Sequence, residues 1–225
     1  MEKEFVVKIL ALEEVTHDVK RIVIEKPVGY KFIPGQATDV AINESGWKEK
    51  KSPFTFTCLN ENSYLEFTIK IYLEREGMTK KINELKINDE LIITESFGSV
   101  NFKGKGVFIA GGAGVTPFIA ILRQLRFDNE LEGNTLIFSN KTERDIILKN
   151  EFDTMSKEGL KVVYTLTHEK NNKYENKIID ENFLSEKISD FSKYFYICGP
   201  IRMVGETQYF LKKLGADEDK IVVET

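Results

Sequence analysis

Through the first hundred residues the apolar positions recur with a period of two, in short runs separated by turn residues. Residues 5–15 (FVVKILALEEV) and 19–25 (VKRIVIE) are the first two runs, and segments 36–42, 53–59, 64–73 and 90–94 continue them. Pro34-Gly35 and Asn60-Glu61-Asn62 supply turns between them. One short helix fits residues 79–85. Several short strands at this spacing predict an antiparallel β-barrel.

After Asn101 the pattern changes. Strand-length apolar runs now alternate with segments of helical period: 107–110 then 117–126, 135–139 then 143–157, 161–167 then 180–188, and 194–198 then 200–213, with 220–223 as a last strand. Such alternation predicts an α/β domain with a parallel five-stranded sheet wrapped by helices. The change of pattern falls in a stretch rich in Gly, Ser and Lys, and divides the chain into domains 1–101 and 102–225. The polar insertion at 168–177 reads as a flexible loop.

Composition narrows the function. A chain of 225 residues, 41% hydrophobic and 30% charged, is an ordinary soluble protein with room for two small cores. The net charge of −4, with Lys and Arg scattered among acids, argues against nucleic-acid binding. No apolar run approaches spanning length, and the opening MEKEFVVKIL lacks the apolar core of a signal peptide, so no membrane insertion and a cytoplasmic location are expected. Cys58 and Cys198 are far apart and read as reduced thiols. Two cysteines and two histidines are too few for an iron–sulfur cluster or a spaced zinc set, so no metal is expected.

The strongest local signal is residues 106–122, GVFIAGGAGVTPFIAIL. A buried strand runs into a turn of small residues, with Thr116 as helix N-cap and Pro117 in the first turn. Small residues and free helix N–H groups make a phosphate cradle; a tight strand-to-helix turn without ligand is the plainer reading. In a parallel sheet, loops after successive strands share one rim. That rim gathers Gly112–Pro117, then Asn140 and Arg144, then Thr167-His168, then Cys198-Gly199-Pro200. Lys141 and Arg144 offer cations for a ribose phosphate, diluted by Glu143 and Asp145; Arg144 is otherwise a surface residue. Cys198 reads either as a small thiol beside a reacting ring or as a buried strand-end cysteine, with no histidine nearby to activate it. Pro200 again suits the first position of a helix.

In the first half, Ser52-Pro53-Phe54-Thr55 sets an aromatic face beside a hydroxyl, or else simply opens an edge strand with proline. Gly77-Met78-Thr79 is a second small-residue turn into a helix, a second cradle or an ordinary cap at Thr79. Two cradles in two domains suit two dinucleotides.

In order, P-G-Q (34–36), S-P-F-T (52–55), G-M-T (77–79), G-G-A-G-V-T-P (111–117) and C-G-P (198–200) resemble the ferredoxin–NADP reductase family, with its cytochrome b5 reductase-like and flavodoxin reductase-like members. The resemblance covers essentially the whole chain. It implies a barrel that binds FAD and an α/β domain that binds NAD(P)H, with NADH slightly favoured because SNKTERDIIL (139–148) is similar to NADH-using relatives. It assigns the flavin to Ser52, Pro53, Phe54 and Thr55, to Ile69, Lys70 and Ile71 at the ring edge, and to Gly77, Met78 and Thr79 at the diphosphate. It assigns the nicotinamide nucleotide to Gly112, Gly114, Val115, Thr116, Pro117, Asn140, Arg144, Cys198, Gly199, Pro200 and Met203. Thr55, Cys198 and Glu224 would stand nearest the chemistry.

One departure is plain: where the family carries an arginine for the flavin diphosphate, this chain has Ser52, preceded by Lys51. Lysine cannot form arginine's planar fork. The terminus, Val223-Glu224-Thr225, lacks the aromatic that covers the flavin in many members. The implied activity is transfer of electrons from NAD(P)H through FAD to an external acceptor: a ferredoxin, a flavodoxin, a cytochrome or a small carrier. The alternative is a nucleotide-binding regulatory or electron-transfer subunit of a larger complex, with weak or lost flavin binding.

Overall fold

The computed structural model describes residues 3–98, 100–170 and 172–223. The chain forms two compact units, one from Met1–Asn101 with Thr116–Gln124 and the other from Phe102–Val115 with Leu125–Thr225.

The first unit holds six antiparallel strands: β1 (Phe5–Thr16), β2 (Val19–Glu25), β3 (Ala37–Ile42), β4 (Ser52–Thr55), β5 (Tyr64–Lys70) and β6 (Glu90–Ile93), in the order β4-β3-β6-β1-β2-β5. The two ends of that order meet just past β4. Phe56 bridges Phe67, and the Thr57 N–H donates to the Glu66 carbonyl at 2.9 Å. This closure gives the barrel character that period-two runs predicted. Inside lie Ile9, Ile22, Ile24, Val40, Phe56, Leu65, Phe67 and Ile93, all fully buried. Phe56 stacks on Phe32 at 4.5 Å and on Phe67 at 5.3 Å. A single turn of helix, α1 (Met78–Ile82), seals one end by burying Met78 and Ile82.

β5 departs from simple alternation. Leu65, Phe67 and Ile69 face the core as expected, but Glu66 and Thr68 on the other face are buried too. The cause is a helix, α2 (Thr116–Phe127), whose segment Thr116–Gln124 belongs to this unit. Its Arg123 reaches Glu66 at 2.6 Å and the Thr57 carbonyl at 2.7 Å.

The second unit is built on five parallel strands: β7 (Gly106–Gly111), β8 (Thr135–Asn140), β9 (Lys161–Leu166), β10 (Tyr194–Cys198) and β11 (Ile221–Val223), in the order β11-β10-β7-β8-β9. Helices α3 (Lys149–Lys157), α4 (Glu181–Lys187) and α5 (Ile201–Lys213) connect them. Phe183, Phe195, Ile109, Ile137 and Leu211 are fully buried in one core layer. Tyr196 stacks on Phe108 at 4.5 Å, and its hydroxyl accepts from Lys103 N–H at 2.9 Å and donates to the Gly104 carbonyl at 2.8 Å. Among the described residues no helix is long and apolar enough to cross a membrane.

Several local expectations are corrected. The helix expected over 143–157 is a short 3-10 turn, Glu143–Asp145, and then α3 from Lys149. Ile146 is extended and Leu148 left-handed at φ 51°, because Ile146 and Ile147 turn inward and are almost fully buried. The Asp145 carboxylate meanwhile accepts from the Thr142 N–H at 2.8 Å and hydroxyl at 2.5 Å, closing the short turn.

In the insertion at 168–177, described residues on both sides are bonded to the sheet unit. Glu175 exchanges backbone bonds with Leu166 (2.8 Å) and Tyr164 (3.2 Å), His168 N–H donates to the Lys141 carbonyl at 2.9 Å, and Lys173 pairs with Glu143 at 2.9 Å.

A 3-10 turn, Gly112–Val115, runs directly into α2, so Thr116 is already helical rather than the cap. Pro200 is the N-cap of α5, with extended ψ of 136°, and not its first helical residue. In the barrel, α1 begins at Met78 with Gly77 as cap, so Thr79 is helical; its hydroxyl accepts from the Tyr72 N–H at 3.4 Å.

Candidate dinucleotide sites in the two units

Strand order places the first site. β7 is the middle strand; the chain proceeds from it to β8 and β9 on one side and later to β10 and β11 on the other. Connections leaving β7 and β10 therefore part in opposite directions, opening a crevice at their carboxyl ends where ligands bind in such sheets. Cys198 pairs with Ala110 across that edge, so the glycine turn and Cys198-Gly199-Pro200 flank the crevice.

The glycines here do different jobs. A Cβ at Gly114 would lie 2.4 Å from the Cys198 carbonyl oxygen and 2.6 Å from the Gly199 Cα. A Cβ at Gly111 would lie 2.7 Å from the Met203 sulfur and 2.9 Å from Pro200 Cδ. Both are small so that the two loops can touch, and Met203 is the side chain that fills between them. Gly112 is the exception: it is left-handed at φ 54° with nothing within 4 Å of a would-be Cβ. That leaves open backbone of the kind an anion can approach. Val115 and Pro117 point their side chains inward and are buried, so they shape the turn from behind.

Asn140 ends β8 on the same rim and is 5% exposed. Its carbonyl accepts from the Thr167 N–H at 3.0 Å, yet neither its side-chain oxygen nor its side-chain nitrogen has a partner. A buried amide without hydrogen bonds costs stability, on the order of 1–3 kcal/mol. Such a group fits a polar ligand that supplies both a donor and an acceptor. Arg144 is exposed, one turn further along, and neither it nor Lys141 has an ion-pair partner among the described residues.

The barrel brings together the second set. Thr55 is buried at the end of β4, Phe54 half-buried with its ring 6.3 Å from Phe67, and Pro53 exposed. Ser52 pairs with Val40 at the start of the strand. Lys51, which precedes it, is in an ion pair with Glu4 at 2.7 Å, so its charge is already engaged. Ile69, Ile71 and Met78 turn their side chains into the core, and Lys70 pairs with Asp18 at 2.7 Å. Gly77 has open space around it, and α1 has no side-chain cap on its first N–H groups. Arg75, two residues earlier, is exposed with its guanidinium 5.0 Å over the Tyr72 ring. It escaped notice in the sequence because it sits in a charged run, EREG, that reads as a solvated turn. Glu224 lies outside the described residues.

Known proteins share this fold. Residues 108–208 match the oxidoreductase NAD-binding domain family. NADH-cytochrome b5 reductase 2 of Danio rerio is 25% identical over 93% of this chain and 80% of its own length. The CS-b5R domains of human Ncb5or, solved in an NAD+ form, are 25% identical with a TM-score of 0.86, covering 100% of this chain and 70% of that one. A ferredoxin NADP+ reductase from Neisseria gonorrhoeae, solved with FAD and NADP, shares the fold at a TM-score of 0.87 and 21% identity, over 100% of this chain and 99% of its own. Residues 108–208 thus match that NAD-binding family, and the closed barrel and parallel sheet give the chain the fold of these solved reductases.

Proposed function

We propose that this protein is an NAD(P)H-dependent flavoprotein oxidoreductase that passes electrons through FAD to a separate acceptor. The observation that carries the proposal is the unpartnered, buried amide of Asn140 on the rim of the switch-point crevice. A pyridine nucleotide there would be held at its diphosphate by the open backbone at Gly112, with Asn140 and Arg144 toward the ribose and Cys198 and Gly199 toward the nicotinamide. NADH is favoured over NADPH because residues 139–148 resemble NADH users and because Glu143 stands on the same turn as Arg144.

FAD, when bound, accepts a hydride and releases electrons singly or in pairs. The barrel's own task is to bind and orient it. Phe54 offers a face for the ring, Thr55 a hydroxyl for its reactive edge, and the α1 turn with Gly77 a place for the diphosphate. Arg75 is the cation best placed along the chain to supply what Ser52 lacks. Two histidines in the whole chain suit a reaction that needs no general acid–base pair. The acceptor is an electron-transfer protein or a small carrier, and the setting is cytoplasmic.

A second reading follows from Ser52 and from Lys51, whose charge is shared with Glu4. With no arginine fork at that strand, the chain would be a nucleotide-binding electron-transfer or regulatory subunit with weak flavin affinity. An absorbance spectrum of the purified protein with and without added FAD, then anaerobic titration with NADH and NADPH, separates the two. Flavin bands bleached by NADH support the reductase; a protein that stays colourless in added FAD refutes it.

A further inference from the structure

Glu66 is a carboxylate in the wall of a barrel, 2% exposed, and every one of its side-chain bonds is charged or polar. Arg123 donates to one oxygen at 2.6 Å and the Thr57 hydroxyl donates to the same oxygen at 2.8 Å; Arg21 donates to the other at 2.7 Å. Arg21 is held in turn by Glu13 at 3.0 Å. Arg123 makes a second bond, to the Thr57 carbonyl at 2.7 Å. A second contact grips the same helix from another side. A Cβ at Gly35, in the P-G-Q turn, would lie 1.8 Å from the Val100 carbonyl oxygen and 3.1 Å from Ile121 Cδ1 of α2.

Buried ion pairs are poor stabilisers, since desolvation offsets most of the attraction, and apolar side chains of similar size often do as well. What a charged, multiply bonded pair supplies is fixed geometry, because its bonds are lost by small displacements that an apolar contact tolerates. The helix that is fixed begins with the glycine turn: Arg123 lies seven residues beyond Thr116, about 10 Å along a rigid rod. The strand at the other end of the bond, β5, continues from Glu66 to Ile69 and Lys70. One carboxylate thus joins β5 to the first turns of α2 within the barrel unit.

We infer that Glu66 and Arg123 are positioning residues for flavin reduction, holding the first turns of α2 on β5 and with them the backbone that leads into the glycine turn. The inference rests on the flavoprotein reading above. Misplacement by about 1 Å costs such a reaction on the order of a hundredfold in rate, while affinity for each nucleotide, set by local contacts, changes little.

The test compares Arg123→Met, Arg123→Lys and Glu66→Gln with the wild-type chain by flavin absorbance, NADH titration, stopped-flow flavin reduction at saturating NADH, and amide hydrogen exchange over residues 112–122. Arg123→Met should keep FAD and NADH affinity within about threefold, slow reduction at saturating NADH by about tenfold or more, and speed exchange in the turn. Arg123→Lys should recover part of the rate. A reduction rate within about twofold of wild type overturns the inference. Should a single variant fail to fold, the paired change Glu66→Met with Arg123→Met removes the stranded charge; if that folded protein reduces flavin at the wild-type rate, the inference is wrong. A wild-type chain that takes no flavin refutes the flavoprotein reading instead. Exchange then decides alone: faster exchange in Arg123→Met supports the clamp, and unchanged exchange overturns it.

Discussion

Any side chain at position 114 would begin 2.4 Å from the carbonyl oxygen of Cys198, and its other near neighbours are backbone as well. Backbone cannot swing aside as a flexible side chain can, so the glycine turn and the Cys198 loop would have to part. Gly114→Ala should destabilise the protein by about 1–3 kcal/mol and weaken NADH binding by about tenfold. Gly112→Ala is the control, because its space is open and its cost is only that of the left-handed backbone, about 1 kcal/mol. Urea denaturation and NADH titration of both variants check this, and equal losses would count against the two-loop contact.

Asn140→Leu should separate stability from binding. The amide bonds to nothing in the protein, so replacing it removes an unsatisfied buried group and should leave the melting temperature unchanged or raised. NADH affinity should fall by about tenfold or more, the loss of hydrogen bonds worth about 1.4 kcal/mol. Calorimetric binding that stays at the wild-type value would remove Asn140 from the nucleotide site.

The contrast between these residues shows what was legible beforehand. Alternating strand and helix periods after Asn101 gave the parallel sheet, because its inner strands β7, β8 and β10 are buried almost throughout. Asn140 and the Cys198 loop were legible as rim residues for the same reason: in a parallel sheet, position after a strand is position on the rim. The orphan state of the amide was not, since it depends on what three strands bring near it. Glu66 was invisible for a different cause. In YLEFTIK it occupies the polar phase of an alternating strand and reads as solvent-facing, until a helix fifty residues later covers it. The helix expected over 143–157 failed because Ile146 and Ile147 serve burial at the expense of helical period.

Ser52→Arg should tighten FAD binding by about tenfold, since an arginine fork on a phosphate contributes one or two charge-assisted bonds. Arg75→Ala should weaken it by a similar factor if that exposed guanidinium substitutes for the missing one. Flavin titration followed by fluorescence quenching reads both. No gain in the first variant would show that the diphosphate lies away from β4.

Thr55→Ala should leave the fold intact, because the change is small and isosteric in part, and should slow flavin reduction by about tenfold through loss of one oriented hydroxyl. Stopped-flow reduction at the wild-type rate would deny Thr55 that place.

Acid sensitivity should trace to Glu66. Burial pushes its carboxyl up, but Arg123, Thr57 and Arg21 outweigh burial and hold it below the ordinary carboxylate value. A depressed folded value means that the stability Glu66 contributes is complete above the ordinary carboxylate range and is lost as pH falls through the folded value. Wild-type stability should therefore drop below about pH 4, and Glu66→Gln, less stable at neutral pH, should show a shallower acid slope. Urea midpoints measured between pH 7 and pH 3 test the sign; parallel slopes would refute it.

Because Thr116–Gln124 complete the barrel unit, that unit is discontinuous in the gene. During synthesis the nascent barrel must wait, its outer β5 face uncovered and Glu66 without Arg123, until the first strand of the other unit has already left the ribosome. A cut after Asn101 would release a barrel missing its closing helix, so grafting or splitting these halves succeeds only if α2 travels with the half that precedes it by a strand.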